Sequence, residues 1–215
     1  MPTHFQMEQV LRSAGVAVRP YPTEKAASAT EDAVVTSRLL VAAGTAWERE
    51  IERLYAIYMQ KSMGMLHAEY VSLLSSLCAT KGLDVAVREL NHGVGYRYTA
   101  LYKQTDLSMV NVSLADKNGE PRPDFLSSVP LTSSFCQYVL RDGSFLTRSS
   151  AGDSRLDGHP YQGVMMAYCG VPVFDEEGIA VGTLCHFDVV AREIADPDLQ
   201  LLRAAASAFA SFFPA

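Results

Sequence analysis

The order of patterned segments predicts an α+β domain layered around a central antiparallel sheet, with helices ahead of it. Three observations carry that class. Between Ala167 and Asp188, two runs rich in β-branched, aromatic and cysteine residues flank Asp175-Glu176-Glu177-Gly178, the pattern of a β-hairpin. Tyr96 to Gln104 and Leu107 to Ala115 alternate as paired strands joined near Thr105-Asp106. Helical periodicity fills most of the chain before Gly93 and returns from Asp196 to Phe213.

In chain order, Phe5 to Ala14 reads as a short helix stopped by Gly15. Arg19 to Thr30 holds Pro20, Pro22 and small polar residues, which predicts a linker. Thr30 or Asp32 is placed to cap a long helix reaching about Ser62. Along it Leu40, Gly44, Trp47, Ile51, Leu54 and Tyr58 recur at alternating spacings of four and three, the seam of a helix pair. That seam either packs within its own chain or joins two copies as a homodimer through helix 32–62. Gly44 weakens it, since glycine costs a helix interior about 1 kcal/mol.

His67 to Thr80 continues helically, Lys81-Gly82 breaks the pattern, and Leu83 to His92 resumes it. After the two strands, Asp116 to Val129 reads as a loop and Leu131 to Arg141 as a helix ended by Asp142-Gly143. Ser144 to Arg148 is a short strand and Ser149 to Gly163 a polar loop. The last helix, Asp196 to Phe213, places Leu199, Leu202, Ala206 and Phe209 on one stripe. The expected organisation is an N-terminal helical extension, 1–62, with its linker at 19–30, followed by a domain at 63–215.

The net charge of −6 and the lack of a dense Lys/Arg cluster argue against nucleic acid as a partner. No apolar run approaches the ~18 residues of a membrane span. The N-terminus lacks the basic start and apolar core of a signal peptide, so a cytoplasmic protein is expected, with no membrane partner. Cys78, Cys136, Cys169 and Cys185 should then be thiols, and none forms a C-x-x-C pair that would suggest zinc.

Several pieces in register resemble one family. Val129 to Gln137 (VPLTSSFCQ) looks like the crossover helix of a GAF domain, and Asp153, Arg155 and His159-Pro160 like the loop before its hairpin. Gly170-Val171-Pro172-Val173 and Gly182-Thr183-Leu184-Cys185 are similar to its two hairpin strands, and the run from Asp198 to its closing helix. The resemblance is strongest over 83–213. It implies a stand-alone bacterial GAF protein with an antiparallel sheet of five to six strands. Helices would pack on one face, and a crossover helix and loop would cover the other. GAF domains mostly hold a small molecule for signal transduction, so the resemblance implies a sensor with a pocket between the sheet and segment 130–163. Output is expected through the N-terminal helices or a partner protein.

Candidate ligand contacts follow from alternation and loop position. Tyr96, Tyr98, Ala100 and Tyr102 alternate along one strand, and three phenols on one face suit either a small-molecule pocket or packing under a helix. Phe135, Tyr138, Tyr161 and Tyr168 can complete such a pocket. Asp153 and Arg155 either pin the loop as a bidentate pair or meet an anionic ligand. The candidate set is therefore Tyr98, Tyr102, Phe135, Cys136, Tyr138, Asp153, Arg155, His159, Tyr161, Tyr168 and Cys185, with no catalytic residue and no metal ligand.

The cofactor is left open. His159 and His186 are potential haem or metal ligands, but no third and fourth group converges on them in sequence. Cys185-His186 is similar to the bilin-attachment pair of phytochrome-type GAF domains. On a strand, however, the two side chains face opposite ways, which argues against covalent bilin. The alternative function is thiol-dependent reduction of free methionine sulfoxide, known in one GAF branch, in which a thiolate attacks and a second thiol resolves. Cys136, near a helix start, suits a lowered pKa. A scaffold with a filled pocket is the third reading.

Overall fold

The chain forms α1 (His4–Ser13), α2 (Glu31–Lys81), α3 (Leu83–His92), β1 (Tyr98–Gln104), β2 (Ser108–Asp116) and β3 (Ser128–Pro130). These are followed by α4 (Cys136–Asp142), β4 (Phe145–Thr147), β5 (Ala167–Phe174), β6 (Ala180–Asp188) and α5 (Asp196–Ala210). The computed structural model describes residues 2–21, 31–194 and 196–213. It divides into two units, Met1–Leu66 and His67–Ala215.

In the first unit, Thr3 starts α1 with a capping box: its hydroxyl accepts from the Gln6 N–H, and Gln6 Oε1 accepts from the Thr3 N–H at 2.8 Å. Met7 and Leu11 of α1 bury against Val18, Trp47 and Ile51, and Trp47 Nε1 donates to the Arg19 carbonyl at 2.8 Å. The middle of the predicted seam thus packs inside its own chain. Gly44 lets Tyr21 approach, since a Cβ there would stand 3.0 Å from the phenol oxygen. The side chains of Leu40 and Tyr58 lie outside the described residues, as does most of the predicted linker (22–30) and its capping residue Thr30.

In the second unit the six strands run β3-β2-β1-β6-β5-β4, every pair antiparallel. This is the α+β class with an antiparallel sheet that the pattern predicts. Alternation divides the side chains between two cores. On one face, Leu101, Val171, Val173 and Leu184 meet Leu74 and Cys78 of α2, Val87 and Leu90 of α3, and Leu202 and Phe209 of α5. On the other, Tyr98, Ala100, Tyr102, Tyr168, Cys185 and Phe187 meet Phe135, Cys136 and Val139 of α4 and its flanking loops.

α2 runs from Glu31 to Lys81, taking in both the helix predicted to about Ser62 and its helical continuation from His67 to Thr80. Three expectations change. The predicted helix 131–141 is a 3-10 turn, Leu131–Ser133, and then α4; Ser134 between them is extended, and its hydroxyl accepts the Cys136 N–H at 3.1 Å. β3 falls in the predicted loop; at three residues it is too short for periodicity, and Pro130 fits because the strand lies at the sheet edge. Tyr96 does not share a face with Tyr98 and Tyr102. The chain bends at Arg97 before β1 begins, sending Tyr96 into the opposite core. Asp188 fixes that bend, accepting from the Arg97 N–H at 3.0 Å.

Candidate functional site

The antiparallel register lays the site out on one face of the sheet. Cys185 pairs with Gly170 of β5 and Ala100 of β1, while Tyr102 stands opposite Thr183. Same-face neighbours on a strand are two residues apart, so Thr183 and Cys185 point the same way. α4 begins over this patch with Phe135 and Cys136. Together with Leu126, Val129, Ser134, Tyr161, Met165, Tyr168 and Phe187, the side chains of Tyr102, Phe135, Cys136 and Cys185 line a cavity of about 30 Å³. Such a space holds one or two water-sized molecules, against the several hundred Å³ of ordinary ligand pockets.

The cavity wall is apolar except at one point. Cys136 Sγ receives the Thr183 hydroxyl at 3.2 Å and lies 3.5 Å from the Tyr168 hydroxyl. Cys185 and Ser134 line the same cavity, the Cys185 thiol donating to the Ala100 carbonyl at 3.5 Å and the Ser134 hydroxyl accepting the Cys136 N–H. Cys136 is 3% exposed and Cys185 1%. The Cys185 thiol above all, with the three hydroxyls, stabilises a Cys136 thiolate and draws its pKa below the ordinary thiol value, although burial opposes this. Burial drives Cys185 the other way, well above that value, and its contact with Cys136 adds to the rise. Of the pair, Cys136 is the acid.

Gly170 makes this geometry possible. Tyr168 lies along β5 across it, and a Cβ at Gly170 would stand 2.6 Å from the phenol ring and oxygen. The ring is held edge-on to Phe135 with centroids 5.5 Å apart. Tyr102 donates to the Leu126 carbonyl at 3.2 Å, tying β1 to the covering segment. A larger groove of about 570 Å³, between the β5–β6 turn and α5, opens on the surface past exposed Glu176, Glu177 and Arg203 and encloses no such cluster.

A GAF domain family model matches residues 80–211. The chain belongs to the GAF domain family. Its fold is similar to the GAF domain of a phosphoenolpyruvate-protein phosphotransferase from Acinetobacter, 11% identical over 68% of this chain and 91% of that one, TM-score 0.55. It is also similar to a phycocyanobilin-bound GAF domain from a cyanobacterial phytochrome, 12% identical over 68% and 92%, TM-score 0.54. A third similar structure is a free methionine-R-sulfoxide reductase from Neisseria meningitidis in complex with its substrate, 15% identical over 67% and 89%, TM-score 0.51. At these identities the likeness is one of fold. No curated protein matches the chain.

Within this GAF domain, six of the sequence-derived candidates converge: Tyr102, Phe135, Cys136, Tyr161, Tyr168 and Cys185 line the cavity. Tyr98 shares the face but stacks on Phe187, centroids 4.9 Å apart, outside the lining. Tyr138 packs on Phe145 one layer out. His159 sits over Phe135 at 4.7 Å, and its Nδ1 accepts the Tyr161 N–H at 3.2 Å. Burial lowers its pKa.

Asp153 and Arg155 are elsewhere. Arg155 grips Asp153 with two hydrogen bonds, 2.9 and 2.6 Å, caps the Leu146 carbonyl at 2.6 Å and covers the Phe145 ring. That is the loop-pinning arrangement. His186 faces the opposite core from Cys185, stacked on Tyr96, with Nδ1 2.8 Å from Thr99 Oγ1. Ser134 and Thr183 escaped the sequence reading. The signal for Thr183 was available in its two-residue spacing from Cys185, while Ser134 needed the break before α4.

Proposed function

We propose that this GAF domain is a sensory module that holds a very small solute noncovalently in the cavity between the sheet and α4. The observation that supports this reading is a small, largely apolar cavity lined by Cys136 and Cys185, with the Thr183 and Tyr168 hydroxyls at the Cys136 sulfur. Such a site favours a compact polar molecule over a nucleotide or tetrapyrrole, which would have to displace Phe135, Tyr168 or Met165. Output would pass through the N-terminal helices or a partner protein.

Native mass spectrometry of the freshly purified full chain, with an absorption spectrum of the same sample, is the first test. A bound mass lost on denaturation supports the sensor. Added solutes should also raise the melting temperature, by mass action worth about 2.7 kcal/mol at 100 times the dissociation constant. A chain that retains nothing and is stabilised by no small solute would sink this reading. It would leave the second one, a GAF scaffold whose pocket is filled by its own side chains, which the 30 Å³ volume favours. Reduction of free methionine sulfoxide has its thiols here, but that substrate far exceeds the enclosed space. Turnover with a thiol reductant, lost in Cys136→Ala, would restore it.

A further inference from the structure

The sheet separates the four cysteines into unlike environments. Cys78 and Cys169 lie in the helix-covered core, and burial pushes the Cys169 thiol up to about 12. Cys136 and Cys185 lie on the other face, in one core, and both line the same small cavity. Two thiols lining one space of one or two water-sized molecules, with the Thr183 and Tyr168 hydroxyls at the Cys136 sulfur, make a reaction site rather than a packing accident.

We propose that Cys136 and Cys185 are a peroxide-reactive dithiol, in which hydrogen peroxide taken into the cavity converts the pair to a disulfide. This rests on the reading that the cavity admits very small solutes. Hydrogen peroxide, with two heavy atoms, is of the size the space holds; bulkier hydroperoxides are not. Cys136 attacks, because the surrounding donors favour its thiolate, and the thiolate is the nucleophile. A sulfur–oxygen bond forms to the near peroxide oxygen while the oxygen–oxygen bond breaks. The far oxygen leaves as hydroxide, at a point where the Tyr168 and Thr183 hydroxyls stand ready to donate, and takes up a proton to become water. The Cys136 sulfenic acid then condenses with the neighbouring Cys185 thiol: the sulfur–sulfur bond forms, the sulfur–oxygen bond breaks, and a second water leaves. Two sulfurs together lose two electrons and the two peroxide oxygens gain them. A cellular thiol reductant returns the pair by exchange.

The test treats the native full chain with a slight excess of hydrogen peroxide, alkylates the remaining thiols after denaturation, and maps peptides by mass spectrometry. The expected result is loss of two of the four thiols, with Cys136 and Cys185 joined in one cross-linked peptide. Cys185→Ala should stop at a Cys136 sulfenic acid that dimedone traps, and Cys136→Ala should lose both reactions. Should either variant misfold, Thr183→Val keeps both thiols and the shape. It should slow oxidation roughly tenfold, the effect of losing one hydrogen bond to a charged group. Cys78→Ala and Cys169→Ala should react as the wild type does. Four free thiols after peroxide, or oxidation no faster at Cys136 than at Cys78, overturns the dithiol. Solute binding in a chain with unreactive thiols would overturn this proposal and leave the sensor reading standing. A disulfide formed in a chain that binds no unreactive solute would do the reverse.

Discussion

Phe135→Ala tests whether the cavity is closed in solution. Phe135 is 3% exposed and its ring meets His159, Tyr168 and Phe145 at centroid distances of 4.7, 5.5 and 5.8 Å. Truncating such a buried ring costs about 3–5 kcal/mol, part from lost transfer energy and about 24 cal/mol for each Å³ that its neighbours fail to refill. For a domain of this size 1 kcal/mol moves Tm by about 2–4 °C, so the expected fall is about 6–20 °C. The emptied ring space joins the existing cavity, and an apolar hole of about 150 Å³ suffices for benzene. Thermal unfolding of both proteins, with and without benzene, reads the two effects together. A loss below about 1 kcal/mol with no rescue by benzene would mean that Phe135 is not enclosed. The pocket would then stand open, and its volume would set no limit on the size of a bound solute.

Other consequences follow from the same contacts. Gly170→Ala pushes a Cβ into the Tyr168 ring and should destabilise by about 1–3 kcal/mol in chemical denaturation; an unchanged midpoint would show that Tyr168 does not lie across it. The Arg155 guanidinium holds the Asp153 carboxyl down at about 2, so its stabilisation is complete above the unfolded carboxylate range and lost as pH falls toward 2. Arg155 is half exposed, so the contribution is screened to about 1 kcal/mol, and Arg155→Ala should flatten the stability curve between pH 4 and 2. Burial holds His186 neutral, with a pKa near 3, while the unfolded imidazole takes its proton near 6.5. Stability is therefore full above about pH 6.5 and falls below it by about 1.4 kcal/mol per pH unit, relative to His186→Gln; parallel curves for the two proteins would refute a buried neutral imidazole.

The sequence was most legible where one periodicity governed a whole element. The β5–β6 hairpin, the β1–β2 pair and α5 follow from strand-like runs, turn residues and a helical stripe, since the sheet feeds one core on each face and α5 buries a single stripe. Legibility failed where a local bend reset the phase. Tyr96 sits an even number of residues from Tyr98, yet the bend at Arg97 turns it into the other core. Ser134, extended between two helical turns, has the same effect on the crossover segment.

The candidate site divides along the same line. Cys185 and Tyr168 are placed by strand parity alone, and parity also separates Cys185 from His186. The loop residues could be read only as polar and near the pocket, and Arg155 went to the Phe145 ring and the Leu146 carbonyl instead. What no pattern encodes is the meeting of Cys136 with Cys185, which depends on Ser134 breaking the helix one turn early. Had the helix run on from Leu131, Ser134 would be an interior residue and the capping bond to the Cys136 N–H would not form. The chemistry of the cavity therefore hangs on a helix interruption, and Ser134→Ala should disturb Cys136 while leaving the β5–β6 hairpin intact.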